Sequence, residues 1–112
     1  MLTLPIKKKW FDMILSGEKK EEYREIKPYY TVRFTKVLYG VGRVKASDPD
    51  YLGWNWIILR NGYSRKSPFV YAKVKIRVGK GRPEWGAEPD VDYYVLEILD
   101  LRDPKTLNRP GI

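Results

Sequence analysis

The chain has 112 residues, which is enough for one folded domain and too few for two. It contains neither cysteine nor histidine, so disulfides, thiolate chemistry, a Ser-His-Asp triad and the commonest zinc sites are excluded. The net charge is +8, and no acidic residue occurs between Asp50 and Glu84, so we expect a polyanionic partner. Nucleic acid is favoured over a membrane surface, and a charge that only aids solubility is the alternative.

The N-terminal segment predicts a strand followed by a helix. Residues 2–6 are short and apolar, as in a strand, and residues 7–16 carry apolar side chains at helical spacing. Gly17 suits the left-handed backbone conformation that commonly ends a helix. We therefore expect a helix of about three turns that stops at Gly17.

Two further strands are predicted before the middle of the chain. Residues 21–26 alternate so that Glu22 and Arg24 share one strand face, and residues 32–38 form the next candidate strand. Residues 46–53 are rich in Asp, Pro and Gly, which indicates a loop.

The second half of the chain predicts three more strands. Residues 54–59 form an apolar run in which Trp54 and Trp56 share one face, so we expect both to fill the core. Residues 69–78 alternate between apolar side chains and a face that is aromatic at its start and cationic beyond. Residues 91–99 predict the last strand.

These elements predict an α+β fold that is mainly β. Five or six antiparallel strands are expected to curl into a β-barrel, with the short N-terminal helix at one end. We assign residues 1–100 to one domain and residues 101–112 to a loosely held C-terminal tail, with a Gly- and Pro-rich loop at 79–90. We expect a cytoplasmic protein, because no apolar run approaches the length of a membrane span and the N-terminus lacks the order of a signal peptide.

The residues that join the predicted helix to the second strand form the densest group of charges. Lys19 lies in the turn, and Glu22 and Arg24 follow on one strand face, about 6.6 Å apart. Gly17 permits a tight turn that leaves backbone N–H groups for an anion, so all four residues are candidates for ligand binding. The alternative is a solvated corner in which Glu22 only holds Lys19 and Arg24 in place.

One glycine and three charged residues of this corner are spaced as Gly17-x-Lys19-x-x-Glu22-x-Arg24. This spacing resembles the G-x-K-x-x-E-x-R signature of the ASCH domain, a branch of the PUA-like superfamily. Residues 26–29 look like the version found in small stand-alone bacterial and prophage ASCH proteins. The resemblance is firmest over residues 2–30, and it implies a PUA-like β-barrel whose motif-lined cleft binds RNA or a nucleotide.

Some ASCH relatives look like small amidohydrolases that act on N4-acylated cytidine, and ribonuclease activity has been proposed for others. In the amidohydrolases a lysine, and a threonine three residues later, carry the chemistry. Lys19 matches that lysine, but Glu22 stands at the threonine position, so the hydroxyl is missing. Our first hypothesis is therefore a binding module. The second is a hydrolase in which Lys19 is the catalytic base or charge stabiliser and Glu22 the proton acceptor.

A second group of residues suits single-stranded nucleic acid, because cations neutralise phosphates and aromatic faces stack on unpaired bases. For the residues on the predicted strand, the alternative is a strand face that is only solvated. For Trp85, the alternative is a tryptophan that anchors its own loop. The candidate nucleic-acid-binding residues are Tyr63, Arg65, Lys66, Lys73, Lys75, Arg77 and Trp85.

The expected ligand is RNA, another single-stranded nucleic acid or a nucleotide-like small molecule. We expect no metal and no other cofactor, because the acidic residues are scattered and histidine is missing. A protein-interaction module is the third hypothesis, since an acidic protein would suit the charge equally well.

Overall fold

The computed structural model describes residues 1–39 and 55–107. The predicted loop at 46–53 and Trp54 lie outside the described residues. In chain order the elements are β1 (Thr3–Ile6), α1 (Lys8–Leu15), β2 (Glu21–Glu25), α2 (Pro28–Tyr39), β3 (Asn55–Asn61), β4 (Phe69–Lys80), a 3-10 turn (Pro83–Trp85), β5 (Asp92–Arg102) and α3 (Pro104–Leu107). This part of the chain is therefore α+β and mainly strand, as predicted.

Within residues 1–39 and 55–107, the five strands form one mixed sheet that curls into a half-barrel, in the order β1-β3-β4-β5-β2. The strands β3, β4, β5 and β2 pair antiparallel, whereas β1 pairs with β3 in parallel. The prediction of a wholly antiparallel sheet is therefore wrong at β1. Parallel neighbours need a long connection, and the segment from α1 through α2 supplies one between β1 and β3.

The inner face of the sheet carries the core. Alternate residues of β4 are buried there, which confirms the predicted alternation of that strand. The buried residues of β4 are Val70, Ala72, Val74 and Ile76. Val78 continues the same alternation but is 59% exposed near the end of the strand.

In β3 the buried residues are aliphatic. Ile57 and Leu59 are fully buried, whereas Trp56 is only half-buried on the opposite face of the strand. The expectation that Trp56 fills the core is therefore wrong. The choice between the two faces of a short apolar strand depends on its neighbours, and here β4 presents Val70 and Ala72 on the face of the aliphatic residues.

Helix α1 ends where the sequence predicts. Phe11 and Ile14 are buried against the core, one helical turn apart. Gly17 follows the helix with a φ of +85°, in the left-handed region that a glycine adopts without strain. Its N–H donates to the Ile14 carbonyl at 3.1 Å, which closes the last turn.

The segment predicted as a strand over 32–38 lies in helix α2, so that prediction is wrong. Phe34 is 2% exposed and Val32 is 51% exposed, as expected of residues on different sides of a helix. Tyr30 and Phe34, four residues apart, stack with 5.8 Å between ring centroids. Pro28 occupies the first helical position, where its missing N–H removes no hydrogen bond.

The two long strands extend beyond their predicted ends. β4 continues to Lys80, and β5 continues to Arg102, where Leu101 still pairs with Ala72. Across residues 1–39 and 55–107, no helix is both long enough and apolar enough to cross a bilayer.

Candidate functional site

A cleft of about 660 Å³ opens beside the corner that joins α1 to β2. Its volume lies within the range of about 300–1,000 Å³ that is usual for small-ligand sites. The walls combine charged and aromatic side chains from several elements, including Trp10, Glu22, Arg24, Tyr30 and Tyr63. The predicted charged corner therefore borders a hollow large enough for a nucleotide-sized ligand.

Glu22 is a buried carboxylate that lines this cleft. Its Oε1 lies 3.3 Å from Lys19 Nζ, and its Oε2 lies 3.1 Å from Arg24 Nη1. Oε1 also accepts the backbone N–H of Tyr23 at 3.2 Å. Two cations and one backbone donor thus offset the cost of burying the carboxylate charge and hold it in one orientation.

Lys19 lies behind Glu22 and is fully enclosed, with 0% of its side chain exposed. Its Nζ donates to the Trp85 carbonyl at 2.6 Å and lies 5.0 Å and 4.8 Å from the ring centroids of Trp10 and Tyr23. Burial lowers the pKa of Lys19, and the neighbouring Glu22 carboxylate opposes that shift. Lys19 is therefore paired with Glu22 but is not itself among the residues that border the cleft.

Arg24 connects the two outer strands of the curled sheet. Its Nη2 donates to the Pro5 carbonyl on β1 at 2.8 Å, and its Nη1 donates to the Tyr23 carbonyl at 2.8 Å. The same guanidinium pairs with Glu22 and borders the cleft. A cation fixed at three points is preorganised to meet a phosphate or carbonyl oxygen.

Tyr23 lines the cleft and links β2 to the loop that carries the 3-10 turn. Its ring is buried, and its hydroxyl donates to Glu21 Oε1 at 2.7 Å and accepts the Arg82 N–H at 2.9 Å. A methyl group on Gly81 would lie 2.5 Å from the Tyr23 ring, so only glycine fits this close approach. Burial raises the pKa of Tyr23 well above its ordinary value.

The Tyr23→Phe variant is expected to be less stable than the native protein by about 1–2 kcal/mol at neutral pH, because buried hydrogen-bonding groups lose their partner. Below pH 10, the ordinary pKa of tyrosine, both folded and unfolded chains keep the phenolic proton. Above it the unfolded chain releases that proton while the folded chain retains it, so the contribution of Tyr23 is lost as pH rises.

Urea unfolding of both proteins between neutral pH and about pH 11 tests this expectation. The difference in unfolding free energy should shrink as pH passes 10. Tyr63→Phe is the matched control, because Tyr63 is 91% exposed and its removal should leave the pH profile of stability unchanged. A Tyr23→Phe difference that stays constant over the whole range would contradict the buried, protonated phenol.

The cationic residues of β4 lie on the opposite face of the sheet from Glu22. Ile76 is in register with Leu96, and Leu96 with Glu22, so these three side chains share the inner face. The alternate residues of β4, which face outward, are Phe69, Tyr71, Lys73, Lys75 and Arg77. The charged corner and the cationic strand face are therefore two separate surfaces of the sheet.

Arg77 is engaged within the protein. Its Nε donates to Glu97 at 2.7 Å, and its Nη2 lies 3.2 Å from the Glu21 carboxylate. These carboxylates raise the pKa of Arg77. The carboxylates of Glu97 and Glu21 thus offset the Arg77 charge, which the sequence predicts as a contact for phosphate.

The loop between β3 and β4 brings part of the second predicted group to the cleft. Tyr63 lines the cleft, and Arg65 lines a smaller hollow beside it. Lys66 is exposed in the same loop. The loop between β3 and β4, which carries Tyr63, therefore lies beside the cleft that Glu22 and Arg24 border, whereas the cations of β4 do not.

Trp85 holds its own loop in place. The ring is half-buried against the small cluster that contains Tyr23 and Val95, with the Arg82 guanidinium 4.9 Å from the ring centroid. Its carbonyl accepts the Lys19 hydrogen bond. Among the tryptophans that the structure describes, Trp10 lines the cleft and Trp85 does not.

The sequence did not identify Tyr29 and Tyr30 as site residues, because the residues that follow them, 32–38, were predicted as a strand. Tyr30 lines the cleft, and the Arg33 guanidinium lies 3.4 Å from the ring centroid of Tyr29. The pairs Tyr29 with Arg33 and Tyr30 with Phe34 are both four residues apart, which is the helical signal that was available.

Within the described ranges, no group of three or more acidic side chains is placed to hold a metal ion. Comparisons of the chain with protein-family models, with curated proteins and with solved structures find no match.

Proposed function

We propose that the protein binds RNA or a nucleotide in the cleft beside Glu22, as the resemblance to the ASCH domain implies. The observation that carries this proposal is a carboxylate that is buried, held between two cations and still borders the cleft. A carboxylate in such a place accepts a hydrogen bond from an exocyclic amine such as N4 of cytosine. Arg24 lies beside it and suits a carbonyl or phosphate oxygen.

The aromatic walls of the cleft support the same proposal. Trp10, Tyr30 and Tyr93 border the hollow, and aromatic faces stack on nucleobases whatever their sequence. Because Glu22 and Arg24 are already fixed by protein contacts, little side-chain entropy is lost when a base binds.

Two observations weigh against the hydrolase hypothesis. The threonine hydroxyl of the amidohydrolase pattern is missing, since Glu22 stands there. Lys19 donates to the Trp85 carbonyl behind Glu22 and does not border the cleft, so it is a positioning residue rather than a base that meets substrate.

Isothermal titration with cytidine and uridine monophosphates tests the proposed function. Cytosine should bind about tenfold or more tightly than uracil, because uracil presents a carbonyl where cytosine presents the amine, and hydrogen bonds to charged groups contribute about 1.5–3 kcal/mol. The Glu22→Gln variant removes the charge at nearly the same volume and should lose most of that preference.

A control variant on the outer face of the sheet sharpens the test. Lys75→Gln changes the charge by one unit on the outer face and should leave both affinities unchanged. Equal binding of the two nucleotides, or a preference that survives Glu22→Gln, would show that Glu22 does not read the base.

A further inference from the structure

We propose that the cleft continues into a groove that holds the nucleotides next to the bound base, so that the ligand is a single strand of nucleic acid rather than a free nucleotide. This inference rests on the proposed function, because it takes the base in the cleft as its starting point. The binding site in question is lined by residues that lie outside the charged corner.

Two further hollows adjoin the cleft, with volumes of about 540 Å³ and 260 Å³. Pro5 and Tyr63 border the cleft and both hollows, and Lys27 and Tyr30 border the cleft and the larger one. The three spaces therefore share walls. We call the two outer hollows together the flanking groove.

Aromatic rings stand exposed along the flanking groove. Tyr63 is almost fully exposed, and within the described part of the chain its ring makes no aromatic contact. Tyr29 is also exposed, and the Arg33 guanidinium, which lies against its ring, donates to its carbonyl at 2.9 Å. Exposed rings beside a base-sized cleft offer stacking surfaces for neighbouring bases.

The charges that line the flanking groove differ from those of the cleft. The cleft includes the carboxylates Glu22, Glu25 and Glu88. Among the described residues that line the flanking groove there is no carboxylate, and its cations are Lys27, Arg33, Arg60 and Arg65. Phosphates are thus favoured in the groove, while the acid that accepts a base amine lies in the cleft.

Fluorescence anisotropy with a labelled single-stranded RNA of about ten nucleotides, beside titration with cytidine monophosphate, tests the proposal. The RNA should bind at least about tenfold more tightly than the mononucleotide, because each stacked base strengthens binding. In Tyr29→Ala and in Arg65→Gln the ratio of the two affinities should fall about fivefold or more. Lys75→Gln should leave the ratio unchanged.

The salt dependence gives a second readout. Each phosphate contact adds about 0.7 to the slope of log affinity against log salt for a single strand, so Arg65→Gln should reduce the slope by about that amount. A reduction in Lys75→Gln instead would place the strand on the outer face of β4 and overturn the proposal.

The outcomes separate this inference from the proposed function. If the RNA binds no more tightly than the mononucleotide, the flanking groove is wrong and the cleft stands. If Arg24→Gln weakens binding of neither ligand while Arg65→Gln weakens that of the RNA, the groove binds nucleic acid on its own and the cleft assignment is wrong.

Discussion

Replacing Lys19 with methionine is expected to destabilise the protein by about 3 kcal/mol. Removal of one partner of a buried ion pair costs about 3–5 kcal/mol, since the remaining charge loses its compensation. Arg24 stays 3.1 Å from Glu22, so we expect the lower end of that range. The Trp85 carbonyl also loses its donor. Urea unfolding at neutral pH measures the effect.

The matched control is Lys8→Met, which breaks an exposed ion pair between Lys8 and Asp12 on α1. An exposed pair contributes at most about 1 kcal/mol, so this variant should unfold close to the native protein. The double variant Lys19→Met with Glu22→Leu should not regain the lost stability, because it leaves the largely buried Arg24 guanidinium without its carboxylate partner. Equal effects of Lys19→Met and Lys8→Met would show that Lys19 is not buried against Glu22.

The Phe34→Ala variant is expected to lose about 3–5 kcal/mol, which is the usual cost of removing a fully buried phenylalanine. The ring packs edge-on against Tyr94, with 5.1 Å between centroids, and it lies in the main core cluster. Its removal therefore leaves a cavity between α2 and the sheet.

Val32→Ala distinguishes the helix from the predicted strand. In a strand over 32–38, Val32 and Phe34 would share one face and both replacements would be costly. In helix α2 Val32 is exposed, so its replacement should change stability by no more than about 0.5 kcal/mol. Comparable losses in the two variants would contradict the helix.

Local periodicity was sufficient to predict the elements whose pattern fits one kind of secondary structure only. β4 alternates over many residues, and helix α1 combines apolar spacing with a glycine at its end, so both were predicted. α2 was missed because β-branched and aromatic residues favour strands locally, while Phe34 and Tyr30 of the helix pack against the core. Propensity is a weak guide where tertiary packing decides.

The candidate site was predictable to the extent that it is local in sequence. Glu22 and Arg24 lie on one face of β2, so their proximity follows from strand geometry. Lys19 lies close to Glu22 because it stands in the turn just before that strand. The cleft also needs Tyr63 and Tyr30, which come from elements distant in the chain. The position of Tyr63 depends on the parallel pairing of β1 with β3, and that of Tyr30 depends on the packing of α2 against the core. Alternation along a single strand specifies neither.

The hydrogen bond from Arg24 to Pro5 has a consequence for self-association. The carbonyls of Leu2 and Ile6 face β3, so the Pro5 carbonyl points away from β3, to the side of β1 that pairs with no other strand of the described residues. An incoming strand from another molecule would dock on that side. Proline offers no N–H to such a strand, and the guanidinium already occupies the acceptor. Pro5 therefore offers neither a free N–H nor a free carbonyl at this edge of β1, which disfavours β-pairing with another molecule.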